Sequence, residues 1–459
     1  MSDLGLIHEG DSVIIRLPSG NCNMQSINGG KTIKLGKFGS FSADALIGKP
    51  YNVTYEIRSA SVLEQVPVDT TLYSSTLDNE ADDGNDNGSA EPDENASPAP
   101  GNGSSGGRRT NQSLVDDASH QQLSQSEIEE LKQKAKQEGD STGGQSIIQR
   151  IKESNTTFDQ KTIFSQQKYI RRKEQKFLKR FTPIRTNIAS ICEAFYSNIN
   201  PSKIKEIRTD TLSQLLALAN IHSHSRVLVV DDTQGLIVSS IMARMSDSKY
   251  GANGGGSGVV VGLTNGESHN YDIVRYMNFT PSVMDTLYTI SWAHAFGPLG
   301  EELDSAQSNE PQPPAEFKND FERRDFERKR SSLARLRSAR AQLRPYSFDA
   351  LVVSTQNDVT SVLKRLTPLL GGSRPLVVYS QHKEVLVPVS TTLFHSGEYV
   401  MPQISQPWMR EYQVLPSRTR PTMTGSGGGG HLLSATRVFT EADITALSAV
   451  PEATEIKMD

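Results

Sequence analysis

"RVLVVDDTQGLIVSSIMARM", residues 226–245, is the stretch whose reading sets the architecture. Its opening, "RVLVVDD", is a short apolar run of the kind a buried strand shows. Gly235 marks a turn, and "GLIVSSIMARM" reads as a helix that starts there. Runs of the same kind recur at "GVVVGL" (258–263), "FDALVVST" (348–355) and "RPLVVYS" (374–380), with a helix at "DVTSVLKRLTPLL" (358–370). "REYQVLPSRTRP" (410–421) and "HLLSATRVF" (431–439) are the expected last two strands. Short strands alternating with helices predict a doubly wound parallel sheet, an α/β fold.

Upstream the pattern changes. Residues 7–58 read as all-β, with "DSVIIRLPSG" followed by short runs broken at Asn-Gly, Gly-Lys and Gly-Lys-Pro. This spacing predicts a small barrel or sandwich. From Asp78 to Glu94 there are eight acidic residues and no basic ones, and "NASPAPGNGSSGGRR" follows. Such a composition cannot bury enough surface to offset chain ordering, so 66–112 reads as a disordered insert. Residues 113–222 read as a helical connector, with Ser124 and Glu127 in a capping-box pattern. Residues 304–345 form a charged insertion within the α/β part.

Composition narrows the function. The net charge of -5 does not announce a nucleic-acid binder, and 35% apolar residues suit a chain that is partly disordered. The two cysteines, Cys22 and Cys192, lie far apart with no CxxC. His222, His224 and His269 have no metal-ligand spacing, so no metal site is expected, and a reducing compartment is. No apolar run approaches the roughly 20 residues of a membrane-spanning helix, and no signal peptide is apparent, so the chain reads as soluble and intracellular.

Local charge is uneven. From Arg150 to Arg185 eleven basic residues face three acidic ones, interleaved with Phe158, Phe164, Tyr169, Phe177 and Phe181. On a helix, Tyr169, Lys173, Lys176 and Arg180 share one face, flanked by Lys168, Arg171, Arg172 and Lys179. Cations so arranged neutralise phosphates, which makes these seven Lys and Arg side chains candidates for RNA contact. The alternative is a solvated helix face whose aromatics are core. Arg418 and Arg420, in the loop "VLPSRTRP", either reach phosphate or pair with acids of a partner. The arginine-rich run 318–344 is either a weaker RNA contact or a surface helix with intrahelical ion pairs.

Four segments together resemble one family: "SIIQRIKESNTTFDQKTIFSQQKYIRRKEQKFLKRF" (146–181), "RVLVVDDTQGLIVSSIMARM" entered from "TLSQLLALANIHSHS", "REYQVLPSRTRPTMTGSGGGGHLLSATRV" (410–438), and the N-terminal "IHEGDSVIIRLPSGN" with "KLGKFGSF" and "LIGKPYNVTYEI". They are similar to the non-catalytic subunits of eukaryotic tRNA adenosine-58 N1-methyltransferase. The likeness spans nearly the whole chain outside the two insertions. It implies a β-barrel-like N-terminal domain over 1–65, the connector, and a Rossmann-like methyltransferase fold over 223–459. It also implies a homologous catalytic partner that binds S-adenosylmethionine, a two-plus-two heterotetramer, tRNA as the substrate and the nucleus as the location.

In catalytic methyltransferases of this class the first strand ends in a glycine-rich loop. Here that loop is Asp231, Asp232, Thr233, Gln234 and Gly235, with a single glycine, and Gln234 stands where the cofactor's amino-acid end belongs. Asp231 and Asp232 are neighbours on a strand and point to opposite faces, so they form no dyad. Glu267 sits late for a ribose contact, and Asp358 reads as a helix N-cap rather than a catalytic acid. No catalytic residue and no bound cofactor are therefore expected. The glycine runs 251–258 and 427–430 lack the ending and context of a phosphate loop and read as flexible turns. The rival readings are a self-sufficient methyltransferase and a translation-associated RNA-binding factor.

Overall fold

The structure is a computed structural model. It describes residues 5–66, 123, 127, 130, 143–160, 163–246, 258–266, 269–300, 319–413, 419–422 and 428–448. The expected disordered stretch from 67 to 112, Ser124 of the capping box, Gly251–Ser257, Glu267, Arg418 and Gly427 lie outside these residues.

The N-terminal part is a five-stranded antiparallel sheet in the order β2-β1-β7-β5-β6. Its strands are β1 (Ser12–Arg16), β2 (Cys22–Ser26), β5 (Tyr55–Ile57), β6 (Leu63–Gln65) and β7 (Arg180–Arg185). A hairpin of β3 (Thr32–Lys34) and β4 (Ser40–Ser42) stands beside it. The central strand, β7, comes from the segment read as a mainly helical connector. It pairs with both β1 and β5, and its Phe181 stacks on Phe41 at 4.6 Å. Two helices lead into it, α1 (Gly143–Glu153) and α2 (Ile163–Phe177). Two more, α3 (Ile188–Ala194) and α4 (Thr209–Leu218), join it to the second sheet.

The second sheet has seven strands in the order β10-β9-β8-β11-β12-β16-β13. These are β8 (Arg226–Asp231), β9 (Val259–Thr264), β10 (Leu287–Ser291), β11 (Ala350–Ser354), β12 (Pro375–Ser380), β13 (Tyr399–Ser405) and β16 (His431–Arg437). β8 pairs in parallel with β9 and with β11, so the order of strands reverses there, as in Rossmann-like folds. Only β16 runs antiparallel to its neighbours.

Alternation along the strands splits the core into two layers. Val227, Val229, Val260, Val352 and Val377 face one side, with α4 and α5 (Leu236–Met245). Leu228, Val230, Val261, Leu351, Val353 and Val378 face the other, with α8 (Val359–Leu366) and α9 (Lys383–Ser396). Strands covered on both sides need apolar residues at every position, which is why "RVLVV" shows no polar alternation. The N-terminal sheet joins the first layer through Ile14 and Cys22. Asn278 clamps the junction, accepting from Ser12 N–H at 2.7 Å and donating to the Ser12 carbonyl at 3.1 Å.

The described ends of "REYQVLPSRTRP" do not pair with the large sheet. These ends, β14 (Tyr412–Gln413) and β15 (Arg420–Pro421), pair with each other among the described residues. The sheet takes "YVMPQIS" instead, as β13.

Candidate functional site

In a doubly wound sheet the ligand cleft opens at the carboxyl ends of the strands, where the strand order reverses. Here that place is the loop from β8 to α5. A helix N-terminus offers unpaired N–H groups to an anionic ligand. In this loop the protein takes those donors itself. Asp231, only 6% exposed, accepts from the Thr233 N–H at 2.6 Å, the Thr233 hydroxyl at 2.5 Å and the Val238 N–H at 3.0 Å. Thr233 Oγ1 in turn accepts from the Ile237 N–H at 3.3 Å. Burial pushes the Asp231 carboxyl above the usual carboxylate range, against the pull of these donors.

Asp232 points elsewhere, as alternation requires. Its carboxylate accepts from the Gln356 N–H at 2.8 Å and ties this loop to the one after β11. The two acids thus hold backbone rather than share a proton.

Gln234 and Gly235 both adopt left-handed backbone, with φ of 56° and 82°. A Cβ on Gly235 would stand 2.8 Å from the Cβ of Tyr271. The surviving glycine is therefore required by the protein's own packing. Tyr271 is 3% exposed and reaches from this loop to β9, where a Cβ on Gly262 would lie 2.5 Å from its hydroxyl oxygen. His269 stacks on the ring at 5.1 Å. Burial and the nearby Asp231 and Asp232 carboxylates hold the phenol far above its ordinary range. Its hydroxyl has no hydrogen-bond partner among the described residues. S-adenosylmethionine does not fit this arrangement, because Asp231 and Thr233 take the N–H groups at the start of α5 and Tyr271 packs against Gly235.

The neighbouring strand ends carry no catalytic set among the described residues. Asp358 accepts from the Ser361 N–H at 2.8 Å, the N-cap role its position suggested. A groove of about 580 Å³ opens beside it, between α8 and α6 (Trp292–Phe296), lined by Trp292, Phe296, Val362 and Arg365 among others.

The basic segment divides in two. Arg172 and Lys176 are exposed on α2, and Lys173 is half-buried with its Nζ 4.9 Å from the Tyr169 ring centre. Tyr169 meets Phe158 edge to face at 5.8 Å, and Phe158 is buried, so Phe158 is core and not a stacking platform. The side chains of Lys168 and Arg171 lie outside the described residues. Arg180 does not share the helix face. It sits on β7 and pairs with Glu56 at 2.9 Å. Lys179, just before it, is exposed. Arg420 is exposed on the short hairpin.

Two features carried no clear sequence signal. Gly428–Gly430 is not a loose turn: Thr211 donates to the Gly429 carbonyl at 2.7 Å, and a Cβ on Gly430 would run into the Tyr379 ring. The second is an exposed apolar edge. β13 ends the sheet, and Met401, Trp408, Met409 and Tyr412 on and after it are exposed, Met401 by 82% and Trp408 by 78%.

Fold and site together define a Rossmann-like α/β protein whose ligand cleft is closed by its own side chains. The chain belongs to the Gcd10p family, which it matches over residues 6–320. It is 31% identical to the tRNA (adenine(58)-N(1))-methyltransferase non-catalytic subunit of Kluyveromyces lactis, over 97% of this chain and 90% of that one. The protein of the same name from Eremothecium gossypii is 32% identical, over 93% and 91%. The one from Mus musculus is 29% identical, over 72% and 74%.

Proposed function

We propose that this chain is the non-catalytic, tRNA-binding subunit of a tRNA adenosine-58 N1-methyltransferase and supports a homologous catalytic subunit. The carrying observation is the closed loop: Asp231 and Thr233 take the donors, and Tyr271 takes the volume, that a cofactor would need. S-adenosylmethionine belongs to the partner. The exposed cations Arg172, Lys176 and Lys179, with Lys173 beside them, supply sequence-independent attraction for tRNA phosphates. The N-terminal strands, with β7 at their centre, act as a small barrel-like platform that carries this basic segment.

The partner docks on the β13 edge and the arm after it. Large apolar side chains left in water, beside a strand with one unpaired side, suit burial against another chain. A two-plus-two assembly, acting in the nucleus, follows from the family reading.

The test is tRNA methylation by this chain alone, by the catalytic subunit alone and by the two mixed. Activity confined to the mixture supports the proposal. Activity from this chain alone overturns it. Glutamate at Arg172, Lys173 and Lys176 together should weaken tRNA binding by the mixed complex by about tenfold or more at moderate salt; undiminished binding removes this surface from the account.

A further inference from the structure

The insertion after β10 ends in α7 (Asp320–Gln342), a 23-residue helix. Eight of its residues are Lys or Arg and four are Asp or Glu. All four acids lie in the first eight positions, where they suit the positive end of the helix. Two of them are engaged within the helix, Glu327 with Arg323 at 3.2 Å and Asp325 with Lys329 at 2.9 Å. From Arg328 to Gln342 there is no acid at all.

The helix is fixed by its C-terminal half. Ala339 is buried, and Leu336 packs on the second core layer. Arg340 donates to the carbonyls of His294 and Ala295 at 2.7 and 2.8 Å. That anchoring decides which face is outward. Arg324, Arg328, Ser331, Arg335 and Ser338 recur at helical spacing and are all exposed. Arg324, Arg328 and Arg335 make no ion pair with described residues. They span about 16 Å of helix.

Between its arginines this face carries only serines; the one large apolar side chain near it, the exposed Phe321, stands at the helix's start, a turn before Arg324. A protein partner would find nothing to bury at its centre, and interfaces depend on such anchors. A polyanion would find cations carried on an anchored helix with small residues between them, so its backbone can lie close. RNA duplexes hide their base edges in a deep, narrow groove and offer phosphates instead. α7 packs on the layer opposite the one that receives the N-terminal sheet. It shares no core layer with the N-terminal sheet into which α2 leads.

We infer that Arg324, Arg328 and Arg335 form a second RNA-backbone contact, on the layer opposite the one that the N-terminal sheet joins. This inference rests on the tRNA-binding reading above. Two separated contacts suit a folded RNA large enough to reach both.

The test uses the complete complex with its catalytic subunit and measures tRNA affinity against salt for wild type, the triple Arg→Ala variant and the triple Arg→Lys variant at 324, 328 and 335. Each lost phosphate contact should flatten the log–log salt slope by roughly 0.7 to 0.9. The alanine variant should therefore lose about 2 from the slope and bind about 10- to 100-fold more weakly at moderate salt. The lysine variant should keep the wild-type slope, since the charge remains. Alanine suits a helix, and an unchanged helical signal with a retained partner would show that the fold is intact. Wild-type slope and affinity in the alanine variant overturn the inference, and so does loss of the catalytic subunit, which would assign the face to protein. If the wild-type complex itself neither binds nor methylates tRNA, the functional reading fails first.

Discussion

The loop from Asp231 to Val238 and the edge from Tyr399 to Tyr412 belong to one sheet and have opposite character. At the loop the groups are taken up by the protein itself: Asp231 accepts three hydrogen bonds and Tyr271 packs against Gly235. At the edge, backbone and apolar side chains are left without partners among the described residues. Met401 stands in left-handed backbone at a bulge in the β13–β16 pairing, and Trp408 is open to solvent. A fold built to bind a small molecule in its cleft here has the cleft closed and its surface open. The contrast is what the proposed function uses: recognition on the outside of the fold rather than in its cleft.

Five variants break or sharpen that contrast. Tyr271→Ala should cost about 3–5 kcal/mol of stability, because it empties a buried, packed volume. Urea denaturation checks it, and a loss under about 1 kcal/mol would mean that the loop does not depend on the ring. Met401→Glu combined with Trp408→Ala should weaken capture of the catalytic subunit by about 100-fold, near 3 kcal/mol. Co-purification and a titration measure this, with the melting temperature of the single chain as the control for folding.

The acid pair gives a finer comparison. Asp231→Ala strands the N–H groups of Thr233 and Val238 in a buried place and should cost about 2–3 kcal/mol. Asp232→Ala removes one hydrogen bond in a wetter place and should cost about 1 kcal/mol or less. Equal losses would contradict the reading of Asp231 as the centre of the loop. Tyr271→Phe is the smallest effect. Removing an unpartnered buried hydroxyl should leave stability unchanged or raise it by up to about 1 kcal/mol, and a clear loss would reveal a partner for that hydroxyl.

Much of this was legible in the residues. "RVLVVDD", "GVVVGL", "DALVVST" and "RPLVVYS" are apolar on both faces, so each marked a central strand without help from its neighbours. Asp358 announced itself as a cap because an N-cap is a local signal. The parts that hid are non-local. β7 continues a basic helical pattern and contains Pro183, and its pairing with β5 joins Phe181 to Tyr55, far away in the chain. β13 is interrupted by Pro402 and a bulge, which blurs its alternation. Arg180 was placed on a helix because the helix ends only three residues earlier, at Phe177, and nothing in the sequence marks Glu56 as its partner. Tyr271 is one aromatic in a loop. Its role exists only because folding brings it onto Gly235 and Gly262.

The most direct test of the closed loop is a calorimetric count of S-adenosylmethionine bound by the assembled complex. One cofactor for each pair of this chain and its catalytic subunit, with none bound by this chain alone, is the predicted result. Two per pair would mean that the loop beneath Tyr271 opens to a ligand, and the account of this chain as a subunit with a filled cleft would be wrong.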